Sequence, residues 1–350
     1  MTDITLEEQQ EKLYGYEKGY HAMHLMNAGV ELGLFQLLNT LEGFASSDDL
    51  AGRLGLHEPY VRIWCQTAYH LGILDCDELG RYRIAPNMGT LLSDTTSPYY
   101  FGHRARFVIT HLTEGFFKTY LEDLRNGNSY FYDDLEGDQG RQFSRDVKAL
   151  SNQMVPIAFT YVVIPRIPGL KEKLSAGARV LDVGCGSGLL MIRLAQAFLN
   201  CEFVGIEVDR FAVEDAQTGI KDNGVEDRVS ALLVNAASMN YDREFDLATM
   251  GFVMHEISPE LKHTSLANCY RALKHSGEIA ILDFAYPETL EDFRSPKYSL
   301  GIMDQFFETT WRSQHLSSAA RHQLLMDHGF KNPATITIAG GSLEATHARK

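Results

Sequence analysis

Three glycines at alternate positions, in Asp182-Val183-Gly184-Cys185-Gly186-Ser187-Gly188, form the stretch of this 350-residue chain with the plainest chemical purpose. Val180 and Leu181 precede it, and Leu189 and Leu190 follow it, so a buried strand runs into a tight turn and then a helix. Glycine lets such a turn close and approach a ligand with no Cβ in the way. The spacing is GxGxG, whereas the dinucleotide fingerprint is GxGxxG, and a carboxylate at Asp182 would repel a pyrophosphate. The same carboxylate suits the ammonium and sulfonium charges of S-adenosylmethionine (SAM). Glu207 ends the run Val204-Gly205-Ile206-Glu207, where an acid can accept both hydroxyls of a ribose. Asn235 and Ala236 follow the third β-rich run, in position to address an adenine edge, and Met250 or Phe252 could cover the ring. An ordinary turn at Asn235 and plain core at Phe252 are the open alternatives.

A loop of this kind needs a sheet to carry it. Short β-rich runs, Arg179–Val183, Glu202–Glu207, Arg228–Val234, Asp246–Met250 and Glu278–Phe284, alternate with helical stretches. That alternation predicts an α/β fold with a parallel, Rossmann-like sheet covered on both faces. The tail Ala334–Ala339, Gly340-Gly341, Ser342–Ala348 predicts an antiparallel hairpin at the sheet's end. Upstream, Met23, Met26, Val30, Leu34 and Leu37 mark a helix over Tyr20–Leu38. Ser46 and Ser47 cap a short helix, and Pro59 opens another that runs to Leu71. Leu74 and Arg81–Ile84 flank the polar turn Asp75–Gly80 as a wing. The expected domains are a mainly helical winged-helix domain over 1–100, a helical connector and pocket wall over 101–168, and the SAM-binding domain over 169–350. His103, Arg106 and Phe107 from the connector, with Tyr298, Met303, Phe307 and Trp311 from the long insert Tyr286–Trp311, are candidates to line an apolar substrate pocket. Interdomain core for about half of them, and a salt bridge for Arg106, stay open.

Taken together, these motifs make residues 179–350 resemble the class I SAM-dependent methyltransferases. With the winged helix in front, the whole chain resembles the small-molecule O-methyltransferase family that includes plant caffeic acid and animal hydroxyindole O-methyltransferases. Val30-Glu31-Leu32-Gly33-Leu34-Phe35 and Leu71-Gly72-Ile73-Leu74 resemble that family's dimerisation domain, which implies a homodimer. The resemblance implies methyl transfer from SAM to a hydroxyl of a small, aromatic or polyketide-like molecule. A phenol has an unperturbed pKa near ~10, so a base helps at neutral pH. His255, in Val253-Met254-His255-Glu256, matches the family's base, and Asp283 matches the first of two acids that orient it. The second acid's position falls near His315 or Ser317, with no carboxylate, and Asn235 stands where aspartate is usual. The missing acid leaves room for a nitrogen or carbon acceptor methylated by proximity alone, while Asn235 bears on cofactor affinity. A SAM-binding regulator without turnover is the remaining rival. Glu256 reads as a solvated residue at a helix start. No metal is expected, because the acids and histidines near the fourth and fifth strands form no obvious oxygen-rich cluster.

Composition narrows the partners. The formal charge of −14 opposes binding to DNA or RNA, which rests on Lys and Arg neutralising phosphates. Through residue 100 there are six Lys/Arg against fourteen Asp/Glu, so the winged helix lacks the basic face of a DNA reader. Five scattered cysteines with no CxxC pair point to free thiols and a cytoplasmic location. Met1–Glu11 is polar and acidic, unlike a signal or transit peptide, and no apolar run approaches the ~20 residues of a membrane span.

Overall fold

The structure, a computed structural model, describes residues 4–152 and 154–350. It divides into two compact units, Met1–Lys118 and Thr119–Lys350, and the division falls inside the stretch read as a connector.

In the first unit a long helix, Leu6–Glu31, opens on a capping box. Thr5 Oγ1 accepts from the Glu8 backbone N–H, and the Glu8 carboxylate accepts from the Thr5 N–H. Sequence periodicity predicted one helix over Tyr20–Leu38, but the chain breaks at Leu32-Gly33 and restarts at Leu34. Gly33 has φ of +72°, a left-handed geometry that glycine adopts without strain and that ends the first helix. Helices Ser47–Leu54 and Glu58–His70 follow, then strands β1 (Leu74–Cys76) and β2 (Tyr82–Ile84), paired antiparallel as the wing. Leu34, Phe35, Leu50, Cys65 and Leu74 form the unit's buried centre.

The second unit is built on β3 (Arg179–Val183), β4 (Glu202–Glu207), β5 (Val229–Leu233), β6 (Phe245–Gly251), β7 (Leu273–Phe284), β8 (Lys331–Ile338) and β9 (Leu343–Arg349). Their spatial order is β5-β4-β3-β6-β7-β9-β8. The first five run parallel, β9 pairs antiparallel with β7, and β8 pairs antiparallel with β9. Successive residues point to opposite faces, and both faces are covered. Val180, Phe203, Leu247 and Leu282 belong to one core, while Leu181, Val204, Ala248 and Ile281 belong to the other. That double burial is why these strands read as nearly unbroken apolar runs. Strand order reverses around β3, whose neighbours are β4 and β6, and such a switch point opens a crevice at the strands' carboxyl ends.

Two expectations are corrected here. By length and composition the helical run Gly137–Arg166 does pass for a membrane span, yet its Val155, Phe159, Val163 and Ile164 fill the core on one face of the sheet. The Tyr286–Trp311 insert is no open loop: it folds as short turns, the helix Ser299–Phe307 and a final turn Glu308–Trp311.

Candidate active site

The loop after β3 is shaped as its glycines require. Gly184, Gly186 and Gly188 all have positive φ, and a Cβ on Gly184 would stand 2.4 Å from the Val253 side chain. Gly184 N–H donates to the Ile206 carbonyl (2.8 Å), tying the loop to β4. Glu207 closes it from the other side. One carboxylate oxygen accepts from the Gly186 N–H (2.9 Å), the other from the N–H groups of Val208 and Asp209 (2.7 and 3.1 Å). Burial raises the Glu207 pKa, and those three backbone donors oppose the rise. Asp182 is 3% exposed and accepts from the Thr249 hydroxyl (2.6 Å) on the neighbouring β6. Burial pushes its pKa up to about 7, against the lowering effect of that hydrogen bond.

Beside the loop lies a small, half-open cleft lined by Asp182, Gly184, Gly186 and Gly251 together with Ser151 and Asn152. Sequence reasoning missed these last two. Their only local sign is a polar Ser151-Asn152 between two helical stretches, and Ser187 Oγ donates to Asn152 Oδ1 (2.8 Å). Among the described residues lining the cleft none is Lys or Arg. A carboxylate, a glycine cradle and no basic side chain fit a cationic nucleoside, not a pyrophosphate. Of the adenine candidates, Asn235 spends its side-chain oxygen on the Ala237 N–H (2.8 Å) in a turn, and Ala236 is 9% exposed. Met250 is fully buried in the core and has no surface to offer a ligand, which removes it from the site. Phe252, with φ of +59°, is half-buried against Phe284 at 4.8 Å between ring centroids.

His255 follows β6 and Asp283 lies near the end of β7, so neighbouring strands bring them together. His255 Nδ1 lies 2.6 Å from Asp283 Oδ1, and both residues are buried. Gln314 N–H donates to the His255 carbonyl (2.8 Å), which holds His315 alongside; the two imidazoles stack at 4.3 Å and 11°. His255 Nε2 faces Glu308 Oε2 at 3.5 Å and Asp304 Oδ2 at 3.7 Å. Burial would lower the His255 pKa, but Asp283, Glu308 and Asp304 outweigh it and raise it to about 10. Asp283, despite its burial, is held well below the usual carboxylate range by His255. Glu308 is driven the opposite way, far above it, by burial and by Asp304. Glu256 is no solvated helix-start residue: it is half-buried and accepts from the Tyr132 hydroxyl (3.1 Å).

The acids and histidines near the fourth and fifth strands show no obvious oxygen-rich cluster in sequence, but the fold brings three later residues to His255. His255, Asp304, Glu308 and His315 each offer one ligand atom, all within 4.8 Å of one another. Asp304 and Glu308 lie four apart, the spacing that puts two side chains on one face of a helical stretch. They stand among Met303, Phe307 and Trp311, the pocket candidates picked out in that insert. Of the pocket candidates there, Trp311 stacks on Phe143 (5.1 Å, 5°) and lies 4.8 Å from Tyr132, two rings the sequence had not singled out. Phe307 is buried, Met303 is exposed, and Tyr298 has the Lys297 ammonium over its ring. In the first unit, Phe107 is buried, His103 packs edge-on to Tyr100, and Arg106 pairs with Glu31 at 3.5 Å.

Residues 180–277, which hold the loop, Glu207 and His255, match the methyltransferase domain family. Residues 180–277 form a methyltransferase domain. Around that domain the chain shares its fold along almost its whole length with solved structures. A putative O-methyltransferase of Nostoc punctiforme PCC 73102 superposes at TM-score 0.78 and 18% identity, covering 97% of this chain and 98% of that one. Human N-acetylserotonin methyltransferase, solved in complex with SAM, does so at 0.74 and 18%, covering 100% and 99%. In sequence, the O-methyltransferase rstn1 of Aspergillus nomiae is 32% identical over 32% of this chain and 50% of its own. The ubiquinone/menaquinone biosynthesis C-methyltransferase UbiE of Citrifermentans bemidjiense is 31% identical over 35% and 52%. The chain thus spans about half the length of these two curated relatives.

Proposed function

We propose that this methyltransferase moves a methyl group from SAM to a hydroxyl of a small, aromatic or polyketide-like molecule, with His255 taking the hydroxyl proton and Asp283 orienting it. The cofactor supplies, when bound, an electrophilic methyl on a positively charged sulfur. Asp182 offers a carboxylate to that cofactor's charges, Glu207 offers one to its ribose, and Gly184 and Gly186 let the backbone come close. Asn235 with Ala236 is assigned to the adenine edge and Phe252 to the adenine face. The observation that carries the reading is the His255–Asp283 contact of 2.6 Å at the carboxyl end of neighbouring strands. With Nδ1 committed to Asp283, Nε2 is the nitrogen left for chemistry. Because Asp283, Glu308 and Asp304 raise the His255 pKa to about 10, only the fraction of enzyme that has lost that proton can act as the base, and labelling of a hydroxyl acceptor should rise as pH climbs towards 10. The likeness to rstn1, named as an O-methyltransferase, supports an oxygen acceptor.

One observation favours a second reading. His255 Nε2 faces Asp304 and Glu308 instead of open space, and UbiE is named as a C-methyltransferase. A carbon or nitrogen acceptor needing no base at His255 is consistent with both. Label transfer from methyl-labelled SAM into small-molecule extracts separates the two readings. Proton transfer by a positioned group contributes about 10²–10⁴-fold, so His255→Ala should cut labelling of a hydroxylated acceptor by roughly that factor while SAM still binds. Full labelling in the variant would remove His255 from the reaction and favour proximity alone.

A further inference from the structure

His255 and the imidazole stacked on it both lie outside helix and strand. Met254, His255 and Glu256 form a turn between β6 and the helix Pro259–Ala272, and residues 313–317 are irregular. Functional groups mounted on such segments are held less firmly than those on regular elements unless something braces them. Two buried cations do so. Lys262, in the helix Pro259–Ala272, donates from Nζ to the Met254 carbonyl (2.5 Å) and to the Gln314 carbonyl (3.2 Å). Those residues stand immediately before His255 and immediately before His315. Gln314 N–H in turn donates to the His255 carbonyl, so the two segments are tied twice.

Arg321, in the helix Ser318–Asp327, does the same from the other direction along the chain. Its Nη1 donates to the Phe284 and Leu316 carbonyls, both at 3.1 Å, and these residues directly follow Asp283 and His315. Its Nε and Nη2 are anchored on β9 by Thr346 and Glu344. Phe284 N–H donates to Asp283 Oδ1 (2.8 Å), the oxygen that meets His255 Nδ1. From these contacts we infer that Lys262 and Arg321 are the positioning residues of the His255–Asp283 pair. Together they fix the backbone beside the base, beside its orienting acid and on both sides of the stacked His315, and so fix where His255 Nε2 points.

Lys262 meets carbonyls and, among the described residues, no carboxylate in ion-pair contact. Burying a cation without an opposite charge against it is costly, and what the fold gains is a bridge between two segments that no strand pairing joins. Burial drives the Lys262 pKa down to about 8, against Asp283 and Glu308. The neutral amine keeps two N–H groups, one for each carbonyl, so the bridge outlasts the charge as pH rises to where His255 can act as base. For its effect on rate the inference rests on that proposed role of His255; for its geometry it does not.

The test uses the full chain. The His255–Asp283 contact of 2.6 Å is at the short end of N–H···O bonds, so it should give a far-downfield proton resonance that His255→Ala removes. Lys262→Met keeps the length of the stem and loses both donors. Arg321→Lys keeps a cation for Glu344 and loses the shared grip on Phe284 and Leu316. In each, the resonance should move upfield or vanish, while SAM affinity reports an intact fold. A misplacement of 1 Å can cost about 10²-fold, so label transfer from methyl-labelled SAM to hydroxylated compounds of a small-molecule extract should slow by roughly 10- to 100-fold. Lys274→Met is the control, removing a lysine paired with Asp246 at the amino ends of β6 and β7, and should change neither readout. A wild-type protein without the resonance, or variants that bind SAM and keep it, would overturn the positioning role. So would variants with an unchanged rate where His255→Ala still slows transfer. A resonance lost in the variants, with transfer unchanged in them and in His255→Ala, would leave the bracing standing and sink His255 as the base.

Discussion

At the residue scale the carboxyl of Asp182 carries the sharpest consequence. Burial lifts its pKa to about 7 in the folded protein, against about 3.9 in an unfolded chain. Between those values the native state holds a proton that the unfolded chain has lost, so this group's contribution to stability falls as pH rises. The cost begins near pH 4 and is fully present above pH 7. A cationic cofactor beside Asp182 favours the carboxylate, so binding must expel the proton wherever one is held. SAM affinity should therefore climb from about pH 5.5 to about pH 7.5, at most tenfold per unit, and flatten beyond. Calorimetry in buffers of different ionisation heat should show proton release at the acid end of that range. Asp182→Asn should bind more weakly and lose the slope. A wild-type affinity that stayed level across the range would mean that Asp182 does not face the bound charge.

At the scale of elements, the sequence marked the five parallel strands, the hairpin and the wing because each is a local pattern: a doubly buried apolar run, a Gly-Gly turn, a polar turn between short strands. It could not mark Asp304 and Glu308, because their significance lies in being carried back to His255 by a helix after β7, a relation that periodicity does not encode. Ser151 and Asn152 were hidden for the same reason, and Met250 looked available because a strand's last residues read alike whether they face the crevice or the core. The glycine loop was legible because it combines two local demands, and they can be tested apart. Gly184→Ala puts a Cβ into Val253 at φ of +67°, whereas Gly224→Ala meets nothing within 4 Å at φ of +62°. The left-handed backbone costs an ordinary residue about 1–2 kcal/mol, and overpacking adds about 1–3 kcal/mol. Urea unfolding should thus show Gly184→Ala less stable than Gly224→Ala by about that second amount, with SAM affinity reduced only in the former. Equal losses would mean that Val253 moves aside and that the loop's fit to its neighbour is loose.

At the scale of the whole molecule, the first helix poses the question of partners. Every residue from Leu6 to Tyr20 is exposed in the single chain. An isolated helical segment of about 12–15 residues is only marginally stable in water, so one projecting this far calls for something to pack on. Leu6, Leu13, Tyr16 and Tyr20 supply the surface: at 3.6 residues per turn they fall within one narrow stripe, and each is between 49% and 80% exposed. A second copy of the chain answers both needs, since two such stripes can pair about a two-fold axis. Sedimentation should therefore give about twice the chain's 39.3 kDa at micromolar concentration. Replacing Leu13 and Tyr16 together by lysine should shift it to the monomer while leaving SAM binding in the second unit intact. A wild-type monomer, or a lysine variant that keeps the doubled mass, would show that the stripe serves another contact and that the resemblance to dimeric methyltransferases stops at the fold.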